Sequence, residues 1–379
     1  TGIAWIGASF YFIWIDNHLV VPSDDAARVK GVGGELWAVH GGGFYPSQKY
    51  QVAPPALPPN LHWFKWEAYS TWWSGMFLLA LMYWYGAETY LLDRSVADLG
   101  VPLAVSLGVG VIVGGWVAYD LLCRSSLARF EKTFALVLFV AVCALAFGLC
   151  QLFSGRGAFI HFGAVLGTIM VANVFFVIIP GQRALISAMQ AGTPPDPVHG
   201  MRGKQRSVHN TYFTLPVLFV MVSNHYSMTY GHPQNWLVLI AICLAGALIR
   251  VYFVARHKGR ASPLPILMAL AILLALIVAL NPAAPNRVTA GVGTAQIRPI
   301  ITQRCGVCHA RRPTHPGFVQ PPKGIVLDSL VDIERQAALI HKSAVVTKTM
   351  PLANLTSMTP GERDLVAAWF GTLQESRAQ

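Results

Sequence analysis

Residues 305–309 read Cys-Gly-Val-Cys-His, the spacing at which two thiols bond the vinyl groups of a porphyrin while the adjacent imidazole binds its iron. A zinc site would ask for a second Cys or His pair at ligand spacing, and a redox disulfide for a thioredoxin-like βαβ context. The flanking sequence offers neither, so Cys305, Cys308 and His309 are read as the attachment site of a covalent haem c.

Such a site needs a small domain around it. After Leu280 the breaker-rich run Asn-Pro-Ala-Ala-Pro-Asn marks a linker, taken as 281–294, and a mixed polar and apolar sequence follows over 295–379. A helix carrying Ile297, Ile300 and Ile301 leads into the haem motif. Thr359-Pro360-Gly361-Glu362 supplies an N-cap, a proline at the first helical position and a capping-box glutamate, which predicts a final helix to about Leu373 with Leu365, Val366, Trp369 and Phe370 on one stripe. Two helices packed beside the motif follow the plan of a class I-like cytochrome c domain. A high-potential carrier takes a soft thioether as the sixth iron ligand, and Met350, followed by Pro351, stands where small cytochromes c place it. Met358, beside a helix start, and His341, at the end of a helix predicted over 327–340, are the alternatives.

The rest of the chain belongs in lipid. Of the whole sequence 54% is hydrophobic and 12% charged, far from the soluble norm. Apolar stretches fit to cross a bilayer recur at 69–86, 100–119, 133–153, 158–180, 211–226, 236–254 and 263–280. Residues 1–15 make an eighth, which opens without a polar start and predicts a helix whose first turns precede Thr1. The expected fold is therefore all-α: a polytopic bundle of about eight spans over 1–280, the first truncated, followed by the cytochrome domain.

A net charge of +11 raises the question of nucleic acid, and the placement of the basic residues answers it. Arg28, Lys30, Lys49 and Lys65, then Arg124, Arg129 and Lys132, then Arg183, Arg202, Lys204 and Arg206, then Arg256, Lys258 and Arg260 fall in alternate connections. The intervening connections carry only Arg94 and Arg156. That bias predicts a bacterial inner-membrane protein with the basic loops cytoplasmic and both chain ends periplasmic. Haem attachment outside the cytoplasmic membrane agrees with that side for the C-terminal domain. Cys123, Cys143, Cys150 and Cys243 read as small hydrophobes in the spans.

Ionisable groups at membrane depth are functional candidates by default. His161 and His225 both fall near the outer boundary and could hold a b-type haem between two helices, or serve as interfacial side chains bonded to carbonyls. At the inner face lie Asp16, Asn17, His18, Glu35, His40 and the glycine run 41–43, with His62, Lys65, Glu67 and His209. With Trp37, Phe44, Tyr45, Trp63 and Trp66 beside them, these residues suit a pocket for a flat, polar, anionic ligand, or else an aromatic anchoring belt.

The phrases GIAWIGASFYFIWIDNHL, GELWAVHGGGFY and HWFKWEAYSTWWSG resemble the bacterial membrane-bound urate hydroxylase (urate oxidase) family, in which an eight-span domain is joined to a C-terminal cytochrome c. The resemblance covers the whole chain. It implies conversion of urate to 5-hydroxyisourate in purine catabolism, with electrons leaving through haem c to a downstream cytochrome c or terminal oxidase instead of forming hydrogen peroxide. It also implies a further histidine before Thr1 that would complete a site with His161 or His225. For the base that takes the protons, Glu35, His40, His62 and Glu67 are the candidates. A quinol-to-cytochrome c electron-transfer subunit is the competing reading, and a transporter with an appended redox sensor a third, weakened by the lack of a visible internal repeat.

Overall fold

The computed structural model describes residues 2–257, 259, 262–281 and 291–378. Eight long helices occupy the eight apolar stretches. They are α1 (Gly2–His18), α2 (Trp66–Leu79, continued by a π-helical Ala80–Tyr85), α3 (Val101–Arg124), α4 (Glu131–Leu152), α5 (Gly155–Gln190), α6 (Pro197–Val222), α7 (Asn235–His257) and α8 (Leu264–Ala279). Among the described residues four of them, α3, α4, α5 and α7, are long and apolar enough to cross a membrane. Lys258, Arg260 and residues 282–290 of the linker lie outside the described residues.

The helix starts follow local chemistry. The Ser154 hydroxyl accepts from Gly157 N–H at 3.1 Å and so caps α5, while Asp196 accepts from Val198 N–H at 2.9 Å and Pro197 opens α6. α5 is the innermost helix, packed against α2, α3, α4 and α6. Its neighbours come close because glycines face them: a Cβ on Gly115 would stand 2.6 Å from Val165, and one on Gly163 2.5 Å from Val220. Small residues at such crossings are how helices gain contact area where lipid already satisfies apolar surface. The bundle exterior stays apolar, with Leu267, Leu270, Leu274, Ile277 and Val278 of α8 exposed.

One expectation is corrected here. The connection after α1 is no simple loop: β1 (Val32–His40) and β2 (Gly43–Tyr50) pair antiparallel, so the fold is mostly helical with a β-hairpin and not all-α. Gly41 and Gly42, at φ +57° and +83°, make the two-residue turn, where both positions need a left-handed backbone. The glycine run read as part of a pocket is this turn. An Asp16–Lys49 ion pair at 2.6 Å ties the hairpin to the end of α1.

The C-terminal region has its own core of Ile297, Ile301, Leu327, Ile333, Val366 and Trp369. It is built by α9 (Thr294–Arg304), α10 (Leu330–Arg335), α11 (Ala337–Ile340, continued by a π-helical His341–Val346) and α12 (Pro360–Ala378). The helix expected over 327–340 is thus two short pieces that break at Gln336, and the last helix runs past Leu373. The predicted capping box is present: Thr359 N–H donates to Glu362 Oε2 at 2.7 Å, and Glu362 N–H donates to the Thr359 hydroxyl at 3.3 Å. The turn Leu352–Asn354 rests on the helical turn Ala87–Tyr90 at the far end of α2, so this region sits against the bundle end opposite the hairpin.

Candidate functional site

The haem motif follows directly from α9. Cys305 continues the helix by donating its N–H to Ile301 C=O at 2.9 Å, and Gly306–His309 adds one turn that presents both thiols and the imidazole together. Neither thiol is in a disulfide. Burial pushes the Cys305 thiol up to about 11 and raises Cys308 as well, which holds both as thiols, the form that adds across a vinyl group. His309 Nδ1 lies 3.0 Å from Ile325 C=O, and His309 C=O accepts from Leu327 N–H at 2.9 Å. With Nδ1–H donated to a carbonyl, the lone pair stays on Nε2, where an axial iron ligand carries it. Among the described residues no group of three or more His, Cys, Asp or Glu could hold a metal ion. Two thiols beside one oriented imidazole therefore fit a porphyrin better than a bare cation.

The three candidate sixth ligands differ in freedom. Met358 is 3% exposed and packs inside the domain core, whereas Met350 is 36% exposed. Its strap is fixed at the backbone, since Met350 N–H donates to Ser343 C=O at 3.0 Å and Met350 C=O accepts from Arg363 Nη1 at 2.8 Å. The His341 ring stacks on Phe370 at 4.3 Å between centroids and 12° between planes, and burial lowers its pKa. Of the three, Met350 is the most exposed.

At the bundle end away from the hairpin His161 is fully buried with both ring nitrogens engaged. Its Nδ1–H donates to Gly157 C=O at 2.9 Å and its Nε2 accepts from the Trp84 indole N–H at 3.2 Å. Phe153 and Tyr83 pack on the ring, and Gly108 backs onto Nε2 so closely that a Cβ there would stand at 2.9 Å. His225 is exposed at the end of a short 3₁₀ turn, while its neighbour Asn224 accepts from Tyr83 at 3.5 Å. A ring with no free nitrogen beside an exposed histidine is not the donor set of a b-type haem, and the residues as placed do not fit one.

The four candidate bases do not converge. Glu35 is buried on β1, where its Oε1 accepts from both the N–H (3.1 Å) and the hydroxyl (3.2 Å) of Ser23, which clips the chain after α1 to the hairpin. His40 is exposed at the hairpin turn, and His62 is exposed with its ring edge-on to Phe64 at 4.5 Å. Glu67, in the first turn of α2, has one carboxylate oxygen buried without a partner. Trp37, Phe44 and Tyr45 stand exposed on the hairpin.

Buried charge lies elsewhere, in groups that the sequence reading left among loop residues or passed over. Asp120 of α3 accepts from Arg206 of α6 at 2.7 Å and pairs with Arg124 at 2.6 Å. Arg206 also donates to Asn173 (3.4 Å), Asn173 donates to Asn210 (2.9 Å) and to Tyr119 (3.1 Å), and Tyr119 meets His209 at 2.8 Å. Arg250 of α7 is the opposite case: it is 9% exposed, its Nε is buried without a partner, and its guanidinium lies 4.5 Å over the Phe10 ring. Arg250 stands inside the apolar stretch 236–254, so an ionisable residue at membrane depth was a signal available from sequence, and weighing only histidines missed it.

The family model described as "Urate oxidase N-terminal" matches residues 1–281. Neither a curated protein nor a solved structure matches the chain.

Proposed function

Because the chain belongs to the urate oxidase N-terminal family, we propose that it is a membrane-bound urate hydroxylase that converts urate to 5-hydroxyisourate and sends the electrons out through its own C-terminal haem c. The family match over residues 1–281 supports the urate-directed oxidation. The observation that carries the electron route is the haem motif with its oriented imidazole, His309 Nδ1 held on Ile325 C=O. In the reaction urate takes up one water and yields 5-hydroxyisourate, two protons and two electrons.

Cys305 and Cys308 would bond the porphyrin, and the His309 imidazole and the Met350 thioether would hold its iron. Bound there, haem c would supply a one-electron acceptor of high potential that passes electrons to a downstream cytochrome c or terminal oxidase. Arg304 holds this site together from behind: its ion pair with Glu362 at 3.0 Å locks the helix leading into the motif onto α12. The protons go to a base at the inner end. Glu67, His40 and His62 keep free valences and remain candidates, whereas Glu35 is spent on Ser23.

The basic loops set the membrane placement of this reading: hairpin end cytoplasmic, both termini and the haem domain periplasmic, in a bacterial inner membrane. α8, sixteen residues long, measures ~24 Å along its axis, so electrons taken near the hairpin end need a relay through the bundle. The test is direct. Purified protein given urate under nitrogen should reduce its haem, with 5-hydroxyisourate and no hydrogen peroxide formed. A haem that dithionite reduces and urate leaves oxidised would overturn the reading, and reduction by a quinol alone would put the electron-transfer subunit in its place.

A further inference from the structure

A cleft of about 310 Å³ opens between α1 and α7, lined by Phe10, Tyr11, Trp14, Arg250 and His257. Three observations set it apart from an ordinary gap between helices. Its floor carries a buried guanidinium that forms no ion pair among the described residues and leaves its Nε without an acceptor. A desolvated cation without a partner is costly, and an anion entering from the open side removes that cost. The α1 wall is aromatic: Tyr11 and Trp14, one helical turn apart, stack on each other at 6.3 Å with 11° between their planes, and Phe10 backs the guanidinium. Finally, His257 closes the rim through a 3.2 Å bond from its Nδ1 to His18 Nε2, while His18 Nδ1 meets Trp14 C=O at 2.7 Å.

We propose that this cleft binds the purine monoanion: a flat, singly charged heteroaromatic laid against the α1 aromatics with its anionic edge on Arg250. The inference rests on the hydroxylase reading and adds the address of its substrate, which is the α1–α7 cleft and not the hairpin cluster of Glu35 and His40. The volume suits a two-ring ligand. Arg250 supplies the planar fork of N–H donors that matches the paired N and O acceptors along a purine edge, a match an ammonium cannot make. Neutral purines, which leave the guanidinium uncompensated, should bind weakly.

The test uses the full-length holoprotein, kept reduced with ascorbate under nitrogen so that urate binds without turnover, and equilibrium dialysis against radiolabelled urate. Arg250→Met should weaken urate binding about tenfold or more, and Arg250→Lys by less. Trp14→Leu, which leaves the charge in place, should weaken it severalfold, and ascorbate should reduce the haem of every variant as in wild type. Should Arg250→Met give no holoprotein, Trp14→Leu and Phe10→Leu decide. Urate binding at the wild-type level in Arg250→Met, or in both aromatic variants, would overturn the cleft assignment and leave the hydroxylase reading standing. A wild-type protein that neither binds urate nor is reduced by it would remove both.

Discussion

Arg206 and Arg250 lie on helices that pack against each other, α6 and α7, and are almost equally hidden from solvent, yet their surroundings are opposite. Arg206 is enclosed: a carboxylate at 2.7 Å, an amide oxygen and the face of Tyr119 at 5.0 Å account for its guanidinium. Arg250 has an aromatic face and an open cleft. Burial alone therefore says little about what a charge does, and the filling of its valences says much. A charge whose partners are complete fixes helices in place, whereas one left incomplete at the edge of a cavity is available to a ligand.

Removing a partner should separate the two most sharply. Asp120→Asn leaves Arg206 buried without its counter-charge, and we expect a loss of about 3–5 kcal/mol, read as a fall in the thermal midpoint of the detergent-solubilised protein. Arg250→Met removes a cation that has no carboxylate partner among the described residues, so its stability should stay within about 1 kcal/mol of wild type or rise. If the two variants lose stability equally, Arg250 is structural and the contrast collapses.

The two methionines of the C-terminal domain repeat the contrast with sulfur in place of charge. Met358 is enclosed by core side chains and Met350 is not. Met358→Ala should cost about 2–4 kcal/mol through the cavity it leaves, with the weak absorption band of sulfur-ligated ferric haem intact. Met350→Ala should cost less than about 1 kcal/mol in the unfolding of the haem-free domain and abolish that band in the holoprotein. Survival of the band in Met350→Ala would move the ligand to another side chain and leave Met350 with no role.

What the sequence made legible follows the same division. Cys305, Cys308 and His309 are contiguous, and Thr359 and Glu362 form a capping box three residues apart, so one helical turn suffices to bring each group together. Eight apolar runs marked the eight long helices, because apolar length alone carries that signal. The Asp120–Arg206 cluster was not legible: its members lie on α3, α5 and α6, and only the crossing of those helices makes them partners. Asp120 and Arg206 also stand near the ends of apolar stretches, where charge reads as loop. The hairpin was missed because β1 and β2 are rich in glycine and polar residues with no clean alternation of buried and exposed positions, and its turn glycines resemble a ligand-binding run.

The smallest effect concerns the partly exposed counterpart of Asp120. Glu362 carries the Arg304 ion pair, as Asp120 carries that of Arg206, but both members of the pair are 18% exposed. Burial alone would raise its pKa; the Thr359 N–H and the Arg304 guanidinium outweigh that and hold the carboxyl below the ordinary glutamate range. A depressed folded-state pKa contributes stability above the unfolded value and loses it as pH falls through the folded one. The C-terminal domain should therefore weaken as acid passes the ordinary glutamate range and continues below it. Glu362→Gln should remove that part of the acid dependence and cost about 1 kcal/mol or less at neutral pH, since solvent screens a pair this close to the surface. An acid-unfolding curve of Glu362→Gln that overlays wild type would mean that α9 and α12 are held by Ile297, Val366 and Trp369 alone, and that among the carboxylate-paired arginines discussed here only Arg206 depends on its partner.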